Sequence, residues 1–398
     1  MGLRSYLDRI KPRFSPGGKY AKLHSTFDAF ETFLYTPSTV TRRGSHIRDA
    51  VDLKRTISTV LVALLPAFVF GAYNVGLQHA RMLGETITFW PAFGYGFLQV
   101  LPMLVVTYVV GLGIEFGVAQ ARGHEVNEGF LATGLLIPMV LPIDTPLWIV
   151  GLATAFSVVF AKEVFGGTGM NIFNPALIAR AFLFFAYPKY MSGDSVWVHG
   201  MSTPGVQMVD GFSGATPLLT ASSEGFSGAN QLPSMFDMFM GYIPGSFGET
   251  STLWILVGAL ILLVTGVGSF RIMFSVFAGG ALMGLIFNAV GINGYMRLPF
   301  YYHLVMGGFA FGAVFMATDP VTAAQTGVGK WIYGLLIGMF AVLVRVLNPA
   351  YPEGLMLSIL LMNAVAPLID HLVVRRNIEQ RRKRAKLVAL RNAGAVKA

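Results

Sequence analysis

The chain has 398 residues, 54% of them hydrophobic and only 12% charged, with a formal net charge of +9 and a mean hydropathy of +0.61. A soluble domain carries about 25% charged residues, so this surface is not built for water on all sides, and the composition predicts an all-α polytopic membrane protein. The absence of cysteine excludes a disulfide framework, a thiolate zinc site and an iron–sulfur cluster held by this chain alone.

Residues 1–55 form a polar, basic segment without the apolar core of a signal peptide. Within it, Leu23–Tyr35 carries aromatic residues at roughly helical spacing, as an amphipathic interfacial helix would. Apolar runs able to cross a hydrocarbon core about 30 Å thick follow. They lie at 56–74, 92–118, 129–141, 147–164 and 174–188, then at 253–270, 272–290, 303–318, 331–347 and 355–373. Eleven Lys and Arg fall in residues 1–55 and nine in residues 374–398, of 29 in all. The positive-inside bias then puts both termini in the cytoplasm, which requires an even number of crossings, here ten. The basic ends flank membrane spans, so they read as orientation signals and headgroup contacts, not as a nucleic-acid site. The polar interval 189–251, whose only Lys or Arg is Lys189, follows the fifth span and is expected outside.

The two halves echo each other. Pro146-Leu-Trp-Ile-Val-Gly151 resembles Gly329-Lys-Trp-Ile-Tyr-Gly334, and each is followed by an Asn-Pro-Ala, at Asn174 and at Asn348. Five spans per half predict two inverted five-helix repeats, as in many transporters. Helix-breaking residues gather at span ends: Pro138, Pro142, Gly166-Gly-Thr-Gly169 and Asp319-Pro320. Irregular backbone at membrane depth is tolerated only beside protein or a cavity, so ligand sites are expected there.

Ionisable residues inside or at the ends of the spans are few: Glu115, Lys162, Glu163, Arg180, Asp319, Arg345 and Asp370. Charge at membrane depth is costly and is retained where it lines a pathway or is paired. Glu115, Asp319 and Asp370 are the acids best placed to meet a cation near the cytoplasmic ends; pairing with Lys162, Arg180 or Arg345 is the competing reading. Gly169, Asn171 and Asn174 combine pliant backbone with amides that donate and accept, as the edge of a flavin ring requires; taken alone, the segment is a re-entrant turn of the kind many transporters have. The seven histidines show no pair at helical spacing for haem, and no metal-ligating cluster is predicted. Asp210-Gly-Phe-Ser-Gly-Ala-Thr216 lies in the outer polar interval; as a bare pattern it reads as a flexible small-residue loop, and its threonine is also a candidate phosphoester acceptor, with Pro217 expected to keep a helix from burying it. A near copy, Gly225-Phe-Ser-Gly-Ala-Asn230, has no hydroxyl at the last position and is expected to stay unmodified.

Asp210–Thr216 resembles a flavin-transferase signature in which the threonine receives FMN through its phosphate. With Val51–Arg55, His124–Phe130, Lys162–Gly169, Arg180–Pro188, Gly307–Gly312, Ala317–Pro320 and Arg345–Gly354, nearly the whole chain resembles the B subunits of the Na⁺-translocating NADH:quinone oxidoreductases. The resemblance implies covalent FMN on Thr216, with Asp210, Ser213, Gly214 and Ala215 completing the motif. It implies noncovalent riboflavin near Gly169, Asn171 and Asn174, and a ubiquinone pocket near the N-terminal segment and the turn holding Gly111, Leu112, Glu128 and Phe130. Glu115, Asp319 and Asp370 match positions associated with Na⁺. One departure concerns the quinone pocket: paired glycines are expected where this chain has Gly111-Leu112. The implied activity is electron relay from FMN through riboflavin to ubiquinone, coupled to Na⁺ export across a bacterial inner membrane. The implied partners are an NADH-oxidising flavoprotein/iron–sulfur subunit and a second FMN subunit. Two alternatives stand beside it. The flavinylated D-type subunit of an Rnf electron-transport complex carries the same motif but lacks the long N-terminal segment. A non-redox inverted-repeat transporter explains the spans but not Asp210–Thr216.

Overall fold

The computed structural model describes residues 3–15, 17–35, 41, 43–45, 53–123, 129–203, 205–206, 208–223, 226–348 and 353–395. Among them there is no strand. Two short helices come first, α1 (Leu3–Phe14) and α2 (His24–Leu34), with Phe14 stacked on Phe27 and Lys11 paired with Glu31 at 2.8 Å. The helices of the first five expected spans follow: α3 (Leu53–Leu83), α4 (Phe89–Arg122), α5 (Phe130–Met139), α6 (Leu147–Ser157) and α7 (Pro175–Ala186). The interval after them holds the short helices α8 (Pro217–Ser222) and α9 (Met235–Met240). The second half comprises α10 (Thr252–Val264), α11 (Phe270–Val290), α12 (Phe300–Val305), α13 (Phe309–Phe311), α14 (Gly327–Leu347) and α15 (Leu355–Ala395).

Among the described residues, six helices are long and apolar enough to cross a membrane: α3, α4, α6 with its extension to Phe165, α11, α14 and α15. The other four expected spans fall on the shorter apolar helices α5, α7 and α10, of 10, 12 and 13 residues, and on the broken pair α12–α13. Each interruption has a local cause. Pro138 and Pro142 end α5, because proline removes a donor and crowds the preceding turn. Asn174 caps α7 through its side chain, and Pro175 occupies the first turn, where its missing N–H costs nothing. Between α12 and α13, Gly307 takes φ +61°, a left-handed conformation open to glycine. Arg345 of α14 donates to the carbonyls of His303 (2.6 Å), Met306 (3.0 Å) and Glu353 (2.9 Å), so two backbone carbonyls beside the break are satisfied from within the protein. Two five-residue π-turns, Val158–Lys162 after α6 and Gly312–Met316 after α13, widen their helices locally.

Small residues let the backbones approach. A Cβ on Gly76 or Gly96 would overlap the facing backbone of α4 or α3, and one on Gly279 or Gly338 would do the same between α11 and α14. Lipid chains are as apolar as leucine, so close van der Waals packing of this kind, and not hydrophobic exclusion, holds such helices together. The pairings recur in the two halves. α4 packs on α5 and α6, α6 on α7, and α5 on α3 and α7; likewise α11 packs on α12 and α14, α14 on α15, and α13 with its π-turn on α10 and α15. The extensive α3–α4 contact has no counterpart of similar extent in the second half. α3 on α10 and α7 on α15 join the halves. α15 runs on from its span as one exposed helix carrying the basic residues from Arg375, with no break at 374.

Candidate functional site

Two cavities sit at opposite ends of this bundle. The first, about 750 Å³ with its open mouth included, is lined by Thr216, Trp197, Arg180, Glu249, Thr250 and Glu353 among others. Thr216 is half-buried and caps α8: its hydroxyl oxygen accepts from the Leu219 N–H at 3.2 Å, and Pro217 is the first helical residue. Pro217 therefore starts a helix where the sequence suggested that it would prevent one, because its fixed φ suits that first position. The cap uses a lone pair of the Thr216 oxygen and leaves its proton uncommitted. Ahead of it Asp210, Gly211 and Ser213 are exposed, with Gly211 at φ +81°, and Ser213 accepts from the Ala215 N–H at 3.2 Å. Gly214 is buried; a Cβ there would overlap the Asp194 carbonyl and stand 2.8 Å from the Met201 sulfur. The motif thus dips once, at Gly214, and presents Thr216 at the mouth of the recess.

The floor of the recess is charged. Arg180 donates to Glu249 at 2.5 Å and to Glu353 at 3.1 Å, and the other oxygen of Glu353 accepts from Gly308 N–H at 3.2 Å. Burial pushes the Glu249 carboxyl up to about 7, with Arg180 opposing and Glu353 adding to the rise. The Thr250 hydroxyl, buried in the same wall, has no hydrogen-bond partner among the described residues. A polar floor under apolar walls such as Phe184 and Leu218 suits a planar heteroaromatic group tethered at the mouth.

The second cavity, about 920 Å³ with its open mouth included, joins the N-terminal end of α3 to the ends of α6 and α10 and to Asp319-Pro320. It collects Gly169, Asn171 and Asn174, with Lys162 and Asp319 in the same wall. Asn171 donates to the Phe173 carbonyl at 3.1 Å, and its side-chain oxygen takes no part in that bond. Asn174 spends its oxygen on the cap of α7 and donates to Asp319 at 3.4 Å. Asp319 also accepts from Val321 N–H (3.0 Å) and the Thr322 hydroxyl (3.2 Å). Amides, a cation and a carboxylate around one apolar slot fit a flavin ring.

The residues expected around a quinone divide. Gly111 and Phe130 touch: a Cβ on Gly111 would lie inside the Phe130 ring. Leu112 is half-buried on the next face of α4, and Glu128 lies outside the described residues. Phe130 also has the Lys162 ammonium 5.9 Å from its ring centre, so this aromatic group and the second cavity share a wall. Of the acids, Glu115 is buried and paired with Lys162. Asp370 instead accepts from the Gln325 N–H (2.6 Å), the Thr326 N–H (2.9 Å) and the Thr326 hydroxyl (2.5 Å), holding the turn before α14. Glu249, Glu353 and Thr250 had not been expected at any site. Glu249 offered one signal, a lone acid just before an apolar run.

Residues 40–379 match the family model described as NQR2, RnfD, RnfE. The chain belongs to this family. Its curated relatives include the B subunit of the Na(+)-translocating NADH-quinone reductase of Chromohalobacter salexigens, 48% identical over 96% of this chain and 97% of that one. The proteins of the same description from Ectopseudomonas mendocina and Azotobacter vinelandii are 46% and 44% identical, each over 96% of this chain and 99% of theirs. Both cavities lie within the part of the chain that the family model spans.

Proposed function

We propose that this chain is the B subunit of a Na⁺-translocating NADH:quinone oxidoreductase in a bacterial inner membrane, with both termini cytoplasmic. Thr216 holds covalent FMN at the outer end, riboflavin occupies the cavity of Asn171 and Asn174, and ubiquinone is reduced near Gly111 and Phe130. The observation that carries the reading is the placing of Thr216, a hydroxyl at the mouth of an open recess with a charged floor and within Asp210–Thr216. The flavins supply one-electron transfer when bound. The chain's own residues do the rest. The Thr216 oxygen carries the phosphoester, and Gly214 seats the motif. The amides of Asn171 and Asn174 orient the second ring. Asp319 puts a carboxylate at the inner end for Na⁺, with Glu115, paired to Lys162, beside it. Asp370 serves the same path by setting the turn that follows Asp319-Pro320. Electrons enter from partner subunits, an NADH-oxidising flavoprotein/iron–sulfur subunit and a second FMN subunit.

The naming of the relatives, at 44–48% identity over nearly full length, favours this over an Rnf-type subunit. The test is in-gel fluorescence of the denatured chain coexpressed with a flavin transferase. Wild type is expected to fluoresce and Thr216→Ala to be dark. A dark wild type favours a non-redox transporter, and a fluorescent Thr216→Ala places the attachment elsewhere.

A further inference from the structure

Among the described residues, the cavity of Asn171 and Asn174 carries one positive charge, Lys162, and its setting is unusual. Lys162 is the last residue of the π-turn Val158–Lys162, and a 3₁₀ turn, Glu163–Phe165, follows at once. π-turns inserted in helices cluster at functional sites because the extra residue re-aims a side chain. Here the ammonium is buried, with a side-chain exposure of 4%, and reaches the cavity wall. Behind it stands Glu115 of α4, equally buried and in direct contact with it. A buried ion pair adds little stability compared with apolar packing of the same volume, so stability does not explain keeping one here. What the pair does supply is a fixed dipole with its positive end at the cavity.

We infer that Lys162 is the cation that sets the reduction potential of the aromatic redox cofactor in this cavity, and that Glu115 is the positioning residue that limits how much of that charge the cavity feels. The inference rests on the proposed flavin occupancy of this cavity. A positive charge at the wall stabilises the cofactor once it has gained an electron and so raises its potential; the more distant carboxylate opposes this less strongly. No bond forms or breaks in this chain. The electron comes from the flavin on Thr216 and leaves to the quinone.

Because Lys162 lines the cavity and Glu115 stands behind it, four proteins have a required order. Glu115→Gln leaves the cation unopposed and has the highest potential, followed by wild type. Next comes the double variant Lys162→Met/Glu115→Gln, and lowest is Lys162→Met, which leaves the carboxylate alone. The expected gap between wild type and Lys162→Met is at least tenfold in the one-electron equilibrium, about 59 mV. Lys162→Arg is expected to restore most of it. The measurement is spectroelectrochemical titration of the noncovalent flavin in the assembled complex. The covalent flavin at the opposite end is the internal control and should not move. The neutral double variant keeps the test valid if one single variant fails to assemble. Equal potentials, or shifts of one sign in both single variants, overturn the inference while leaving the proposed cofactor in place. Absence of any acid-extractable flavin from the wild-type complex would instead remove the cofactor reading itself, and this inference with it.

Discussion

Gly111 on α4 lies against the face of Phe130 so closely that a single added methyl group would stand inside the ring. Phe130 is fully buried, and its other neighbours include Tyr108, whose ring meets it edge-on at 6.2 Å, Gly134 and the Lys162 ammonium. The ring therefore has little room to retreat. Gly111→Ala is expected to destabilise the protein by about 1–3 kcal/mol, the usual cost of overpacking. It should also lower quinone reductase activity. Thermal unfolding in detergent reads the first effect. An unchanged melting temperature would mean that Phe130 moves freely, against the packing seen here.

Gly214 makes a comparable prediction at the other end. Gly214→Ala retains the Thr216 hydroxyl but forces the backbone away from the Asp194 carbonyl and Met201. Flavin incorporation is expected to fall severalfold, read as in-gel fluorescence per mole of chain. Thr216→Ser, which keeps both hydroxyl and helix cap, should retain most of it.

Glu249 gives the protein a pH-dependent stability of definite sign. Its carboxyl titrates near 7 when folded, against 4.5 for the unperturbed group. Between those values the native state binds more protons than the unfolded one, so stability falls as pH rises through that window. Glu249→Gln is expected to flatten the dependence between about pH 4.5 and 7. Melting temperatures measured across that range in wild type and variant decide the matter.

Asp370 is held by three hydrogen bonds from Gln325 and Thr326. Charge-assisted bonds of this kind contribute about 1.5–3 kcal/mol each, and their loss exposes the turn before α14. Asp370→Ala is expected to raise amide exchange at Gln325 and Thr326 by tenfold or more. Protection unchanged from wild type would show that the turn holds without the carboxylate.

Much of this was legible in the residues themselves. Apolar runs fell where the long helices lie, because a span needs length and low charge and both are local properties. Pro138 and Gly166–Gly169 marked interruptions correctly, since proline and glycine act on their own backbone. Pro217 misled for the same reason: proline stops a helix or starts one according to its position, and only the cap geometry of Thr216 distinguishes the two. Histidines looked scattered along the chain, yet His79 and His199 come within 5.9 Å of each other, ring to ring.

By itself, then, the chain's order of residues determined the solvent, the approximate spans and the polar interval that holds the threonine motif, all consequences of composition over windows of a few turns. Tertiary structure alone decided which charges meet. Glu115 and Lys162 are 47 residues apart, Arg180 and Glu249 are 69 apart, and Arg180 and Glu353 are 173 apart. No local pattern encodes such pairs. They form because a buried charge must find a partner somewhere in the bundle, and the helix packing settles which partner is within reach.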